Sequence, residues 1–124
     1  MPKHVSVIVL TIVFLAIAAG ASSAQDVSRE VLEEGASLFK GLGLCHACHG
    51  PEAKGIPNLG ADLTDDDWQH SDGSLEGILE TIKQGVTGDN SSTGTLMPPK
   101  GGSSLSEDQL RAVAAYVWSL SHKP

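Results

Sequence analysis

The chain has little of what a small domain usually folds around. Its 124 residues include only two Phe, two Trp and one Tyr, so the polypeptide alone offers a meagre apolar core and needs another source of buried area. Basic residues are also scarce, eight Lys and Arg against fifteen Asp and Glu, for a net charge of −7. Such a surface repels nucleic acid, and it either favours a partner with a basic patch or simply keeps the chain soluble. No alternating apolar–polar run reaches strand length, which leaves an all-α reading. With only two cysteines, the chain has no disulfide framework.

Those two cysteines are informative because of their spacing. They stand in Cys45-His46-Ala47-Cys48-His49, the C-x-x-C-H pattern of covalent haem attachment. On a helical turn, positions three and four apart share a face. Cys45 and Cys48 can therefore add to the two vinyl groups of one haem, with His49 placed beneath the iron as a proximal ligand. Three other readings compete. A thioredoxin-type redox pair requires a strand–helix alternation that the chain lacks. A zinc site of Cys45, His46, Cys48 and His49 would crowd four ligands into five residues, too close to surround a tetrahedral ion. A disulfide across this spacing would close a tiny loop and stabilise little. His46, a spacer residue, reads as a partly exposed side chain.

The N-terminus carries Lys3, an uncharged apolar run from Val5 to Ala19, and Ala21-Ser22-Ser23-Ala24. This order predicts an export signal, residues 1–24, processed after Ala24. The alternative is an uncleaved membrane anchor over 5–21, at the short limit of about 17 residues for a bilayer span. Either way, residues 25–124 are expected as one small domain outside the cytoplasm. Contact with the membrane is expected only if the N-terminal segment is retained.

Helical periodicity predicts a first helix from Asp26 to Lys40, capped by Ser28 or Asp26 and ended by Gly41 and Gly43. Gly35 within it suggests close approach of another helix. Thr64 is expected to cap a short helix opened by Asp65-Asp66-Asp67. On that helix Trp68 is a core residue or a wall of the haem pocket. A third helix is expected over 74–84, with Leu75, Ile78, Leu79 and Ile82 on one face. The polar stretch from Thr87 to Thr95 reads as a surface loop. The last helix has a capping box in Ser106 and Gln109 and a hydrophobic staple in Leu105 and Leu110.

Two further site residues follow from chemistry. A backbone carbonyl near His49 would accept the other ring N–H and fix the imidazole. Pro57, which has a free carbonyl and no N–H, is the candidate, with an ordinary turn role as the alternative. Apart from the initiator, Met97 is the only methionine. It precedes Pro98-Pro99, which stiffen its loop, and its soft thioether suits the second axial position of the iron. His70 is the main competitor for that position, and His122 a weaker one.

Taken together, these motifs resemble the class I (mitochondrial-type) bacterial c-type cytochromes over nearly all of the region after the N-terminal segment. Pro57-Asn58-Leu59, Leu63-Thr64-Asp65-Asp66 and the Leu-Ser-Glu-Asp-Gln helix start are similar to the haem c domains of bacterial terminal-oxidase subunits. The resemblance implies a small class I cytochrome c fold, three to five helices around one covalently bound haem c. It also implies that the first and last helices cross near Gly35, Phe39 and Tyr116, that the Pro57 carbonyl accepts from His49, and that Met97 binds iron. A second haem motif and a later membrane-spanning run are absent from the sequence, so a single haem domain is expected, not a whole oxidase subunit.

The expected function is single-electron transfer, without catalysis, in the periplasm or at the membrane surface. The expected partners are redox proteins, among them a terminal oxidase or another respiratory complex, and not nucleic acid. Were Met97 unbound, an open iron would instead suit a sensor or a peroxidase-like enzyme. A dedicated subunit feeding electrons into a respiratory complex is the other alternative.

Overall fold

The structure, a computed structural model, describes residues 27–122. The expected export signal or anchor at 1–24 therefore lies outside the described residues. Among those described, the elements are α1 (Arg29–Lys40), α2 (His46–His49), α3 (Leu75–Gln84) and α4 (Glu107–Ser121), with short 3-10 turns at Gly88–Asn90 and Pro99–Gly102. No strand forms among them beyond two isolated bridges, Ile56 with Gly60 and Val86 with Met97. The architecture is all-α.

Each long helix begins where a serine can hold the first free amides. Ser28 accepts from the Val31 N–H at 3.3 Å, and Ser74 from the Gly77 N–H at 3.0 Å. At the start of α4 the exchange is reciprocal, with Ser106 accepting from the Gln109 N–H at 3.3 Å and the Gln109 side chain from the Ser106 N–H at 3.0 Å. Leu105 and Leu110, flanking that cap, are both buried. Gly41 and Gly85 end α1 and α3.

α1 and α4 cross at Gly35. A Cβ there would overlap the Ala112 carbonyl oxygen and lie 2.8 Å from the Tyr116 Cβ, so only glycine permits this approach. Beside the crossing, Phe39 is fully buried and meets the Tyr116 ring edge-on, with centroids 5.4 Å apart at 65°. Burying a side chain of that size stabilises by about 1.5–3 kcal/mol. α3 packs on α4 and buries Leu75, Ile78, Leu79 and Ile82. Two exposed ion pairs, Lys83–Glu107 and Arg111–Glu76, span the same two helices and contribute little.

One local expectation is corrected. Residues 64–66 form bends and 67–68 have no regular structure, so no helix forms there. The Thr64 hydroxyl and N–H donate to the Asp62 carboxylate at 2.6 and 2.8 Å, and the Asp67 N–H donates to Asp65 at 3.1 Å. These local bonds compete with helix formation for the same amides. The polar stretch from Thr87 to Thr95 is the surface loop expected, and it is tethered. Thr95 Oγ1 donates to the Asn58 carbonyl at 2.7 Å, and Thr93 Oγ1 approaches the Leu59 carbonyl at 3.4 Å, so the segment is tied across to the 56–60 turn.

Candidate haem site

α2 follows a glycine-flanked turn at the end of α1. Gly43 lies tight against the Leu38 carbonyl, where a Cβ would come within 2.6 Å. The Gly43 N–H donates to that carbonyl at 2.8 Å. The chain thus reverses quickly enough to present Cys45 and Cys48 on one turn. His46, half-buried, has Nδ1 3.3 Å from the Phe39 carbonyl, which fastens this turn to α1.

Cys45, Cys48 and His49 border a largely apolar cavity of about 360 Å³, with Met97 and Trp68 also in its lining. That volume falls in the range of cofactor sites, ~300–1,000 Å³. Phe39, Ile78, Ile82, Val113 and Val117 line its floor and walls. The two cysteines are not joined in a disulfide. Burial pushes the Cys45 thiol up to about 11, so it is neutral near pH 7 and lacks the low-pKa thiolate of a redox-active pair. Nothing in its setting favours the thioredoxin reading.

His49 Nδ1 lies 2.8 Å from the Ala61 carbonyl. With Nδ1–H donating there, Nε2 is left as the ring nitrogen for a metal. Burial lowers the imidazole pKa below its usual value, against the smaller upward pull of the Ala61 carbonyl. The ring is therefore neutral at pH 7, the form that ligates iron.

The acceptor is thus Ala61 and not Pro57. Pro57 is exposed at the tip of the Ile56–Gly60 turn and lines a separate shallow cleft with Lys54, Asn58 and Asp62. The cause is the path of the chain beyond the turn. Gly60 passes so close to α2 that a Cβ would overlap the Cys48 carbonyl oxygen and lie 3.0 Å from the His49 nitrogen. The next carbonyl, that of Ala61, is the one brought to the ring. Sequence reasoning missed both residues, although a glycine just before the acceptor was a usable sign of close backbone approach.

Met97 also lines the cavity, and its backbone is held to Val86, just beyond the end of α3. Its N–H donates to the Val86 carbonyl at 2.8 Å and its carbonyl accepts from the Val86 N–H at 2.8 Å. Trp68 is half-buried against the core, and Gly73 leaves room for its indole. His70 also borders the cavity but is exposed, and its carbonyl accepts from Thr81 Oγ1 at 2.6 Å. His122 lies away from the cavity, stacked on Trp118 at 4.6 Å. Among the described residues, no group of three or more His, Cys, Asp or Glu side chains is gathered to hold a free metal ion.

This donor set fits haem c: two unpaired thiols on one turn, a neutral imidazole with its outer nitrogen occupied, a thioether, and an apolar space between them. Residues 30–117 match the family described as cytochrome c oxidase, cbb3-type, subunit III. The chain belongs to that family. It is 42% identical over 92 residues to the cbb3-type cytochrome c oxidase subunit FixP of Rhizobium etli, covering 73% of this chain and 30% of that protein. It is 39% identical over 79 residues to the subunit CcoP of Rubrivivax gelatinosus, covering 63% and 23% respectively. The chain thus spans less than a third of the length of these relatives. Among solved structures, it resembles cytochrome cL of Methylophaga aminisulfidivorans with a TM-score of 0.57 and 29% identity, over 73% of this chain and 53% of that one. The described residues form a class I cytochrome c domain whose donor set suits covalently bound haem c.

Proposed function

We propose that residues 25–124 form a monohaem domain that carries single electrons to or from a terminal oxidase of the kind its relatives' names describe. Cys45 and Cys48 are assigned the covalent attachment, and His49 and Met97 the two axial positions of the iron. The observation that carries this reading is the convergence of Met97 and the Cys45–His49 turn on one apolar cavity.

When bound, haem c supplies a one-electron iron(II)/iron(III) couple. The protein's residues do the rest. The Ala61 carbonyl holds the imidazole in one tautomer and raises its basicity. The Val86 bridge fixes the Met97 backbone, and a thioether ligand together with an imidazole would favour a raised potential. If His49 and Met97 both ligated the iron, substrate would have no path to the metal, and the domain would carry electrons without catalysing. Leu44 and Leu96, 49% and 57% exposed, line the cavity and reach its rim. This apolar lip suits a small, transient docking surface. The N-terminal segment, as export signal or anchor, would place the domain on the periplasmic side of the membrane. Among the described residues, no helix is long and apolar enough to cross a membrane.

The test is haem staining after denaturing electrophoresis, with intact mass, on exported protein. Covalent pigment that is weakened or lost in Cys45→Ser and Cys48→Ser is expected. Pigment fully extractable by acidified solvent would overturn the attachment. Met97→Ala should lower the potential and open the reduced iron to carbon monoxide. An unchanged potential would remove Met97 from the site, and rapid carbon monoxide binding by the parent protein would favour a sensor or peroxidase-like enzyme.

A further inference from the structure

The end of α3 touches the one stretch of backbone on which distal ligation depends. Gly85 ends that helix at φ 72°, ψ −174°, a conformation essentially confined to glycine. Its position is also crowded. A Cβ on Gly85 would overlap the Met97 carbonyl oxygen and lie 2.7 Å from the Pro99 nitrogen and 2.9 Å from the Pro98 carbonyl carbon. All three are backbone atoms, which cannot swing aside as a side chain can. Immediately beyond, Val86 and Met97 exchange their paired hydrogen bonds, both at 2.8 Å.

We propose that Gly85 is a positioning residue for the distal ligand: it allows the Met97–Pro99 backbone to lie directly against the end of α3, where the Val86 bridge can latch it. The proposal rests on Met97 being the distal ligand. Pro98 and Pro99 stiffen the loop, so it cannot absorb a displacement at one residue and return the sulfur to its place. α3 in turn is anchored by its buried face on α4. The thioether is therefore set by a helix end that makes no contact with the iron, while the proximal turn is held independently by Gly43 and Gly60.

The experiment compares the matured holoprotein with Gly85→Ala, Gly94→Ala and Met97→Ala. Gly94 shares a positive φ of 80°, but a Cβ there would meet nothing within 4 Å, so its substitution brings backbone strain without a collision. In Gly85→Ala, the sulfur-to-iron charge-transfer band should be largely lost while far-UV helicity persists. Carbon monoxide association with the reduced form should rise at least about tenfold, the population change that a bias of about 1.4 kcal/mol produces. Gly94→Ala should keep the parent spectrum. A Gly85→Ala protein that melts earlier but retains the band below its melting transition overturns the proposal and leaves Gly85 as a helix terminator only. The underlying ligand assignment is separable: if Met97→Ala keeps the band, that assignment falls, whereas if Met97→Ala loses it and Gly85→Ala does not, only the latch falls. Should Gly85→Ala not mature, hydrogen exchange on the unaltered holoprotein decides. The Val86 and Met97 amides should be protected and should lose protection together when added imidazole displaces the distal ligand; independent exchange overturns the latch.

Discussion

Replacing Gly35 with alanine sets two opposing effects against each other. Alanine in a helix interior is favoured over glycine by about 0.8–1 kcal/mol, so on α1 alone the change would stabilise. The crossing reverses the sign. The new methyl would overlap the Ala112 carbonyl oxygen, lie 2.7 Å from its carbon and 2.8 Å from the Tyr116 Cβ. The carbonyl belongs to α4's backbone, so relief requires the two helices to part. Overpacking of this kind costs about 1–3 kcal/mol. Parting also loosens the edge-on contact of Phe39 with Tyr116, worth about 0.5–1.5 kcal/mol beyond its area. The net expectation is a loss of about 2 kcal/mol. For a domain of this size that is roughly 8–16 °C in melting temperature. Urea and thermal unfolding of the holoprotein, followed by far-UV circular dichroism, measure it, with Ser37→Ala on the exposed face of the same helix as the comparator. A Gly35→Ala protein as stable as the parent, or more so, would mean that helix propensity wins and that the close crossing is not what Gly35 is for.

Three other outcomes are expected. Gly60→Ala should press on the Cys48 carbonyl and draw the Ala61 carbonyl away from His49; the imidazole becomes a weaker donor and the potential, read by voltammetry, should rise, an unchanged value refuting the role given to Ala61. Ser106→Ala removes the hydroxyl that accepts from the Gln109 N–H, while the backbone Ser106 N–H can still donate to the Gln109 side chain; it should cost about 1 kcal/mol, or about 4–8 °C, while a parental melting curve would show the cap to be idle. Thr64→Ala tests the Asp62 carboxyl, which the Thr64 hydroxyl, and secondarily its N–H, hold below the usual carboxylate range. A carboxyl depressed on folding stabilises above its unfolded pKa and loses that contribution as pH falls through its folded value. The variant should therefore be slightly less stable than the parent at neutral pH, the gap should close in acid, and an Asp62 titration that does not move upward would contradict the assignment.

What the sequence revealed, and what it hid, divides along a physical line. Side-chain chemistry was legible. The caps expected at Ser28 (or Asp26) and at Ser106 fall to the two serines, each of which begins a helix, the apolar face of α3 is buried, and Gly35 marks the crossing. The partner of His49 was not legible, because every residue carries a carbonyl and only the path of the chain selects one. Pro57 drew attention as a residue with an acceptor and no donor, yet the turn that it helps to make carries it outward and leaves Ala61 facing the ring. The non-helical stretch 64–68 shows a different failure. Thr64 and the three aspartates have the composition of a helix start, but Asp62 lies two residues before Thr64 and captures its N–H and hydroxyl first. Likewise, the hydroxyls of Thr93 and Thr95 looked like solvated loop residues because their acceptors, the Leu59 and Asn58 carbonyls, lie far away in sequence.

The scarcity of aromatic residues and the position of the cavity are two sides of one arrangement. Phe39, Ile78, Ile82, Val113 and Val117 are buried core residues that also line the haem cavity. The site is therefore not a pocket added to a finished core; core and pocket share their walls. Truncating any of these side chains would remove buried apolar area and enlarge the space around the iron together, so a change in potential could not be told from a change in stability. Gly35 and Gly85 escape that ambiguity. Neither lines the cavity, yet each sets how closely two pieces of backbone approach, one at the α1–α4 crossing and one behind Met97. For that reason the crossing should answer in unfolding free energy, and the end of α3 in the sulfur band of a protein that is still folded.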